Sequence, residues 1–340
     1  MDRRQTDVPR VSVLLPVFNG AKTLLRALAS VRRQRGVEWE CVVVDDGSSD
    51  ASAGVADAVV RRDSRFRLLR SPHRGIVAAL RTGLATCRAP LIARMDADDV
   101  MLPGRLRKQS DAFHDDAHLA AVGTHVELFP RNGLREGRLA YETWLNSLRS
   151  ARDVEADAFV ECPVAHPTLM AQASVLREFS YRDAGWPEDY DLILRLIGAG
   201  RRVGVLPEVL LRWRDSPARL SRTNPTYAVP RFVACKAAFL ADAFLATSDR
   251  YVLWGYGDTG RLLRRELARH QKAPAYIVEL HPGRIGQVIA GARVIPPEKL
   301  RTIERLPIVV SVAGAPARRQ IRDVLSAMGF VDVKDYRVAA

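Results

Sequence analysis

The stretch Ala93-Arg94-Met95-Asp96-Ala97-Asp98-Asp99-Val100-Met101-Leu102-Pro103-Gly104-Arg105-Leu106 decides how the chain is read. Asp96, Asp98 and Asp99 crowd three carboxylates into four residues. Like charges that close repel unless a cation or water screens them. A D-x-D string is common, and by itself an acidic solvated turn with Asp99 capping the next helix explains it better than a metal site does. Its place in the chain decides between the two. Val11–Val17 is a β-branched apolar run ended by Asn19-Gly20, and residues 21–34 carry Leu24, Leu25, Leu28 and Val31 at helical spacing. Further strands are predicted at Glu40–Val44, Phe66–Leu69 and Pro90–Ala93, and a further helix at Gly75–Ala85, with a Ser/Asp cap available in Asp45–Asp50 for another. That alternation predicts a mostly parallel sheet with helices on its faces, an α/β fold. Ligands of such sheets bind beyond the carboxyl ends of the strands, where Asp45, Asp46 and residues 96–99 all fall.

The chain has 340 residues, and its formal charge is 52 − 39 = +13. That length suggests two domains. An apolar fraction of 47% with 27% charged residues excludes a wholly disordered chain. Lysine occurs only at positions 22, 108, 236, 272, 299 and 334, so arginine supplies the rest of the positive charge. Most of it is expected on a solvated surface, with a few arginines facing phosphate. No apolar run approaches the ~20 residues that span a bilayer. The basic start at residues 1–10 precedes too short an apolar stretch for a signal peptide. Cys41, Cys87, Cys162 and Cys235 form no C-x-x-C pair, which argues against a zinc site or disulfide framework and for a reducing cytoplasm. No nucleic-acid motif accompanies the charge, so no nucleic acid is expected as a partner.

The middle of the chain is less regular. It contains Gly185-Trp186-Pro187-Glu188-Asp189-Tyr190-Asp191, then an apolar helical run to Ile197 and an arginine-rich segment at 212–226. Residues 226–249 read as a helical linker. A second βα pattern starts at Tyr251, where a strand leads into Gly255-x-Gly257-x-x-Gly260 and a helix, and the next strand ends at Glu279. Glycines there let backbone N–H groups approach a phosphate, and Glu279 is suited to ribose hydroxyls. Asp258 opposes this, since it sets a negative charge beside that phosphate.

The strings VSVLLPVFNG (11–20), VVVDDGSSD (42–50), ARMDADDVMLPGRL (93–106) and PEDYDLILRL (187–196), in that order, resemble a family 2 glycosyltransferase with the GT-A fold over about residues 9–225. The resemblance implies an inverting, metal-dependent transfer of a sugar from a nucleotide-diphosphate donor. It implies that Pro16, Phe18 and Asn19 line the nucleotide pocket and that Asp45 or Asp46 binds the base or ribose. Asp96 and Ala97 would face the donor, with Asp98 and Asp96 toward Mn²⁺ or Mg²⁺. Asp189, with Glu188 as the second candidate, would be the general base that takes the acceptor's proton. Trp186 and Tyr190 are candidates for stacking on a sugar, and His166 is read as structural. Arg74, Arg81 and Arg214 are candidate diphosphate contacts, joined by Arg219 and Arg222 on a segment that closes over the donor in related enzymes. The acceptor would be a glycan, lipid-linked or protein hydroxyl in cell-envelope glycan or polysaccharide synthesis, with peripheral contact at the inner face of the membrane.

The expected division is a catalytic domain at 1–225, the linker at 226–249, and a small Rossmann-like domain at 250–340. VLWGYGDTGR, VIPPEKL and SVAGAPARRQIRDVL in that last domain resemble the N-terminal domain of bacterial sugar acyltransferases. The alternative function is an NAD(P)-dependent oxidoreductase, or a non-enzymatic nucleotide-binding protein, built on that glycine turn.

Overall fold

The computed structural model describes residues 8–217 and 219–340. Residues 1–7, which hold most of the basic start, and Ala218 lie outside the described residues. The chain divides into two compact units. The first comprises residues 1–154, 164–183 and 195–219, and the second 155–163, 184–194 and 220–340. The segments 155–163 and 184–194 thus pack with the C-terminal part of the chain, although both precede residue 225.

The first unit is built on an eight-stranded sheet. Its strands are β1 (Val11–Val17), β2 (Trp39–Asp45), β3 (Phe66–Arg70), β4 (Leu91–Arg94), β5 (Val100–Met101), β6 (Leu119–Phe129), β7 (Met170–Gln172) and β8 (Arg202–Arg214). Their order is β3-β2-β1-β4-β7-β6-β8-β5. The β3-β2-β1-β4 half is parallel, as the alternating pattern predicts. Every residue of β1 and β2 is buried, which is why both read as continuous apolar runs rather than alternating ones. The helices α1 (Ala21–Arg32), α2 (Ser52–Val60) and α3 (Ile76–Thr86) supply the crossovers. Gly83 shows how closely α3 lies on the sheet: a Cβ there would sit 2.2 Å from Leu14 Cδ1 and 2.8 Å from Val44 Cγ2. The other half of the sheet was not legible as strands, and β8 carries its pairing through Arg212-Trp213-Arg214, the start of the arginine-rich segment.

The second unit has its own six-stranded sheet. Its strands are β9 (Arg250–Trp254), β10 (Ala273–Val278), β11 (Val288–Ile289), β12 (Ala292–Ile295), β13 (Ile308–Val310) and β14 (Tyr336–Val338), in the order β11-β12-β10-β9-β13-β14. All pairs except β11–β12 are parallel. The order reverses at β9, the arrangement of a small doubly wound fold. The linker holds the helix Val229–Phe239 followed by one π turn, Leu240–Phe244.

Candidate active site

The carboxyl ends of β1, β2 and β4 carry loops that lock to one another. Asn19 adopts a left-handed conformation (φ 50°) at the end of β1. Its Oδ1 accepts from the N–H of Ser49 at 2.9 Å, and its own N–H donates to Ser48 Oγ at 2.9 Å. Asp45 Oδ1 accepts from Ser48 N at 3.2 Å. Asp46 is buried, and its carboxylate takes the N–H groups of Arg74 (3.0 Å) and Gly75 (2.9 Å) and the ring of His73 (2.8 Å). This folds residues 73–75 back over β2. As a result His73 stacks on Phe18, centroids 3.9 Å apart and planes 16° off parallel. Phe18 is 47% exposed, so the pair forms an aromatic platform open to solvent. Pro16 is buried within β1.

Arg74 is exposed on that loop. Arg81 turns its Nε to the carbonyl of Tyr181 at 2.7 Å, a link between elements of the first unit. His166 is buried, with Nε2 3.1 Å from Tyr181 Oη. Burial, and then the charge of Arg94, holds its pKa well below the usual histidine range.

The acid cluster follows β4. One carboxylate oxygen from each of Asp96, Asp98 and Asp99 lies within 4.8 Å of the others. Gly20, in the turn after β1, lies beside Ala97: a Cβ on it would be 3.6 Å from that of Ala97. Asp99 does not cap a helix. The next helix, Arg105–Asp115, starts six positions later behind Gly104, and Asp99 is 1% exposed. Its Oδ1 accepts the backbone N–H of Arg214 at 2.7 Å, while Arg214 Nε donates to the carbonyl of Asp98 at 2.9 Å. The guanidinium of Arg214 lies over the Phe129 ring at 4.5 Å, and Arg219 Nη1 donates to the carbonyl of Arg214 at 3.0 Å. Residues 214 and 219 are thereby brought to the cluster, and Arg222 is exposed on the short helix Leu220–Thr223 of the second unit.

Two buried arginines under the cluster escape a reading of the sequence. Arg94 Nη1 pairs with Asp96 at 2.6 Å. Arg105 is fully buried, bonded to Gln109 Oε1 and to the carbonyl of Arg94, both at 2.9 Å. Burial pushes its pKa down to about 9, against the pull of Asp99. The only local hint was that Arg94 stands two residues before the acidic string and Arg105 six residues after it.

A cation suits this donor set. Asp99 Oδ2 is buried with no hydrogen-bond partner among the described residues. Hard divalent ions take carboxylate oxygens, and a bound one would supply charge neutralisation for a diphosphate. Burial first, then the charge of Asp96, lifts the Asp98 pKa to about 6, against Arg219 and Arg214. Burial and the same acids raise that of Asp99 well above the usual range. Ionising Asp98 therefore costs the metal-free fold stability as pH rises from about 4, the unfolded value, through about 6. A proton also competes with metal for that carboxylate. Divalent-metal affinity is expected to fall about tenfold from about pH 7 to about pH 5. Calorimetric titration of Mn²⁺ at the two pH values checks this, and equal affinities would contradict it.

Glu188 and Asp189 open the helix Glu188–Gly198, whose residues to Leu194 belong to the second unit. Glu188 is buried, and its Oε2 accepts from Tyr227 Oη at 2.5 Å. Asp189 is half-buried, with Oδ1 2.7 Å from the N–H of Tyr190. Three carboxylates in this first helical turn suit the positive end of the helix dipole. Tyr190 is fully buried and donates to the carbonyl of Ala158 at 2.8 Å, so it is a core residue rather than a stacking surface. Trp186 is half-buried and bonds Asp191 Oδ1 at 3.0 Å.

In the glycine turn of the second unit, Gly255 has φ 95°, and a Cβ on Gly260 would lie 2.4 Å from the Gly255 carbonyl. Close backbone contact thus requires these two glycines, whereas Gly257 has open space around it. Glu279 Oε1 accepts the N–H of Tyr256 at 2.9 Å and Arg284 Nη1 at 3.2 Å. A carboxylate of the chain already occupies a donor of this turn. Asp258, 90% exposed, pairs with Arg261. An acid on the turn's own N–H opposes a phosphate at that donor.

A mostly parallel sheet with the loops at its carboxyl end locked together and a carboxylate cluster after its fourth strand is the layout of a GT-A enzyme. The sequence pattern of "Glycosyl transferase family 2" matches residues 12–177. The chain is 30% identical over 210 residues to the amylovoran biosynthesis glycosyltransferase AmsE of Erwinia amylovora, covering 60% of this chain and 75% of AmsE. It belongs to glycosyl transferase family 2 and is a glycosyltransferase. The fold is similar to that of S. aureus TarS 1–349 in complex with UDP-GlcNAc, with a TM-score of 0.56, 17% identity, and coverage of 77% of this chain and 72% of that one. It is also similar to the mannosyltransferase PcManGT from Pyrobaculum calidifontis in complex with GDP-Man and Mn²⁺, at TM-score 0.50, 18% identity, and 71% and 64% coverage. Among curated relatives, the chain spans from 16% of one protein's length to 78% of another's.

Proposed function

We propose that the chain transfers a sugar, with inversion, from a nucleotide-diphosphate donor to an acceptor hydroxyl, in the synthesis of a cell-envelope polysaccharide. The carrying observation is the acid cluster joined to Arg214 and Arg219. It sets carboxylates for a cation beside guanidinium groups for phosphate, the two charges a departing diphosphate needs. The pathway is suggested by the name of AmsE, and the cation and donor class by those of PcManGT and TarS.

In this reading Asp96, Asp98 and Asp99 hold Mn²⁺ or Mg²⁺, which supplies Lewis-acid stabilisation of the leaving diphosphate when bound. The Phe18–His73 platform stacks the base. Asp45 and Asp46 shape the loops around it, Asp46 by fixing residues 73–75. Asp189 takes the proton from the attacking hydroxyl. It is preferred to Glu188, whose carboxylate is buried on Tyr227. The division of labour is a catalytic domain to about residue 225 and a C-terminal domain that positions or assembles it. The test is a panel of UDP-, GDP- and dTDP-sugars with Mn²⁺ or Mg²⁺. At least one is expected to release its nucleoside diphosphate only with metal present. Silence across the whole panel would overturn the reading.

A further inference from the structure

Helix α1 is amphipathic with an outer face of one charge. At 3.6 residues per turn, Lys22, Leu25, Arg26, Ala29, Arg32 and the flanking Arg33 fall within an arc of about 120°. Leu24, Ala27, Leu28 and Val31 occupy the opposite side and are buried. The cations of the outer face are all exposed, and Leu25 among them is 60% exposed. No acid occurs anywhere in α1.

Two other surface helices, Arg105–Asp115 and Asp258–Arg269, mix signs. Arg107 pairs with Asp111 one turn on, Arg261 with Asp258, and Arg269 with Glu266. Mixing stabilises an exposed helix, and its absence costs some stability through like-charge neighbours. The helix dipole accounts for cations at the last turn of α1 but disfavours Lys22 in the first. Neighbouring acids do not neutralise the face. Asp63, which feels Arg32, is held by Arg65 through two bonds of 3.0 and 2.8 Å. Asp50 accepts the N–H of Ala21 at the helix start. The Arg26 guanidinium lies over the Phe129 ring at 5.5 Å, and the residue remains exposed.

We infer that this face of α1 docks on an anionic lipid surface. The charge complements acidic headgroups, and Leu25 within the arc supplies an apolar contact below them. The partner is a bilayer because four long, exposed cations run along one face, with Leu25 and Ala29 among them, and so complement a continuous anionic surface. Among the described residues no helix is long and apolar enough to cross a membrane. This inference stands apart from the transfer reaction and is tested without it.

The test is co-sedimentation of the full chain with vesicles of phosphatidylcholine alone or with about one third phosphatidylglycerol. Wild type is expected on the anionic vesicles only. The triple variant Arg26→Gln, Arg32→Gln, Arg33→Gln should bind them on the order of a hundredfold more weakly. A matched variant, Arg61→Gln, Arg149→Gln, Arg265→Gln, removes three exposed arginines scattered elsewhere and should stay within a few-fold of wild type. Equal melting of both variants shows that folding is intact. Equal losses in the two would overturn the proposal in favour of net charge. So would wild type failing to bind anionic vesicles, including the case where it binds duplex DNA through α1 instead.

Discussion

Asp98→Ala is expected to abolish metal-dependent donor binding and to lower turnover by about 10²–10³-fold. The carboxylate sits between Asp96 and Asp99 in the cluster, and its oxygen lies within 4.8 Å of theirs. Removing it takes away one of the proposed ligands and leaves Arg94 still paired with Asp96. The metal-free protein should not suffer, because ionised Asp98 is disfavoured there by burial and by Asp96. The variant should therefore melt at or above the wild-type temperature without metal and lose the stabilisation that nucleotide plus Mn²⁺ gives wild type. Thermal melts with and without both ligands read this out. A variant still stabilised by the pair would remove Asp98 from the site.

Asp189→Asn is expected to reduce transfer about 10²–10⁴-fold while nucleotide affinity stays unchanged. The amide keeps the size and the bond to the Tyr190 N–H, since its oxygen still accepts. It removes the ability to take a proton. Glu188→Gln serves as the comparison, because its carboxylate accepts from Tyr227 Oη. Steady-state rates alongside donor titrations separate the two steps. Full activity in Asp189→Asn with loss in Glu188→Gln would exchange their roles. Loss of donor affinity in Asp189→Asn would mean that it acts in binding.

Which features were legible in the sequence follows from physical range. β1, β2 and α1 are local: their apolar spacing is written in consecutive residues, and Val11–Val17 and Ala21–Arg32 fall where the pattern predicts. Asp96 and Asp98 were legible because charge crowding is also local. The burial of Asp99 was not legible, because it depends on Arg214, 115 positions away. The same holds for His73, which meets Phe18 only after Asp46 gathers the 73–75 loop. Arg94 and Arg105 were indistinguishable from surface arginines in so arginine-rich a chain. Their burial depends on long-range packing, and in the case of Arg105 on Gln109 and the carbonyl of Arg94. In the C-terminal part the strand–turn–helix around Gly255 was legible. The use of Glu279 on Tyr256 and Arg284 was not, because a side chain's partner is set by tertiary structure. The short strands β11 and β12 carry too few residues for a periodic signal.

The carboxylates at residues 96–99 are proposed to hold a divalent cation that joins the protein to a nucleoside diphosphate. Calorimetric titration of UDP and of GDP into the full chain, once with Mn²⁺ and once with a chelator, tests it most directly. At least one nucleotide is expected to bind with Mn²⁺ and to lose at least tenfold in affinity with the chelator. Binding of equal strength in both conditions, or no binding of either nucleotide with Mn²⁺, would contradict it.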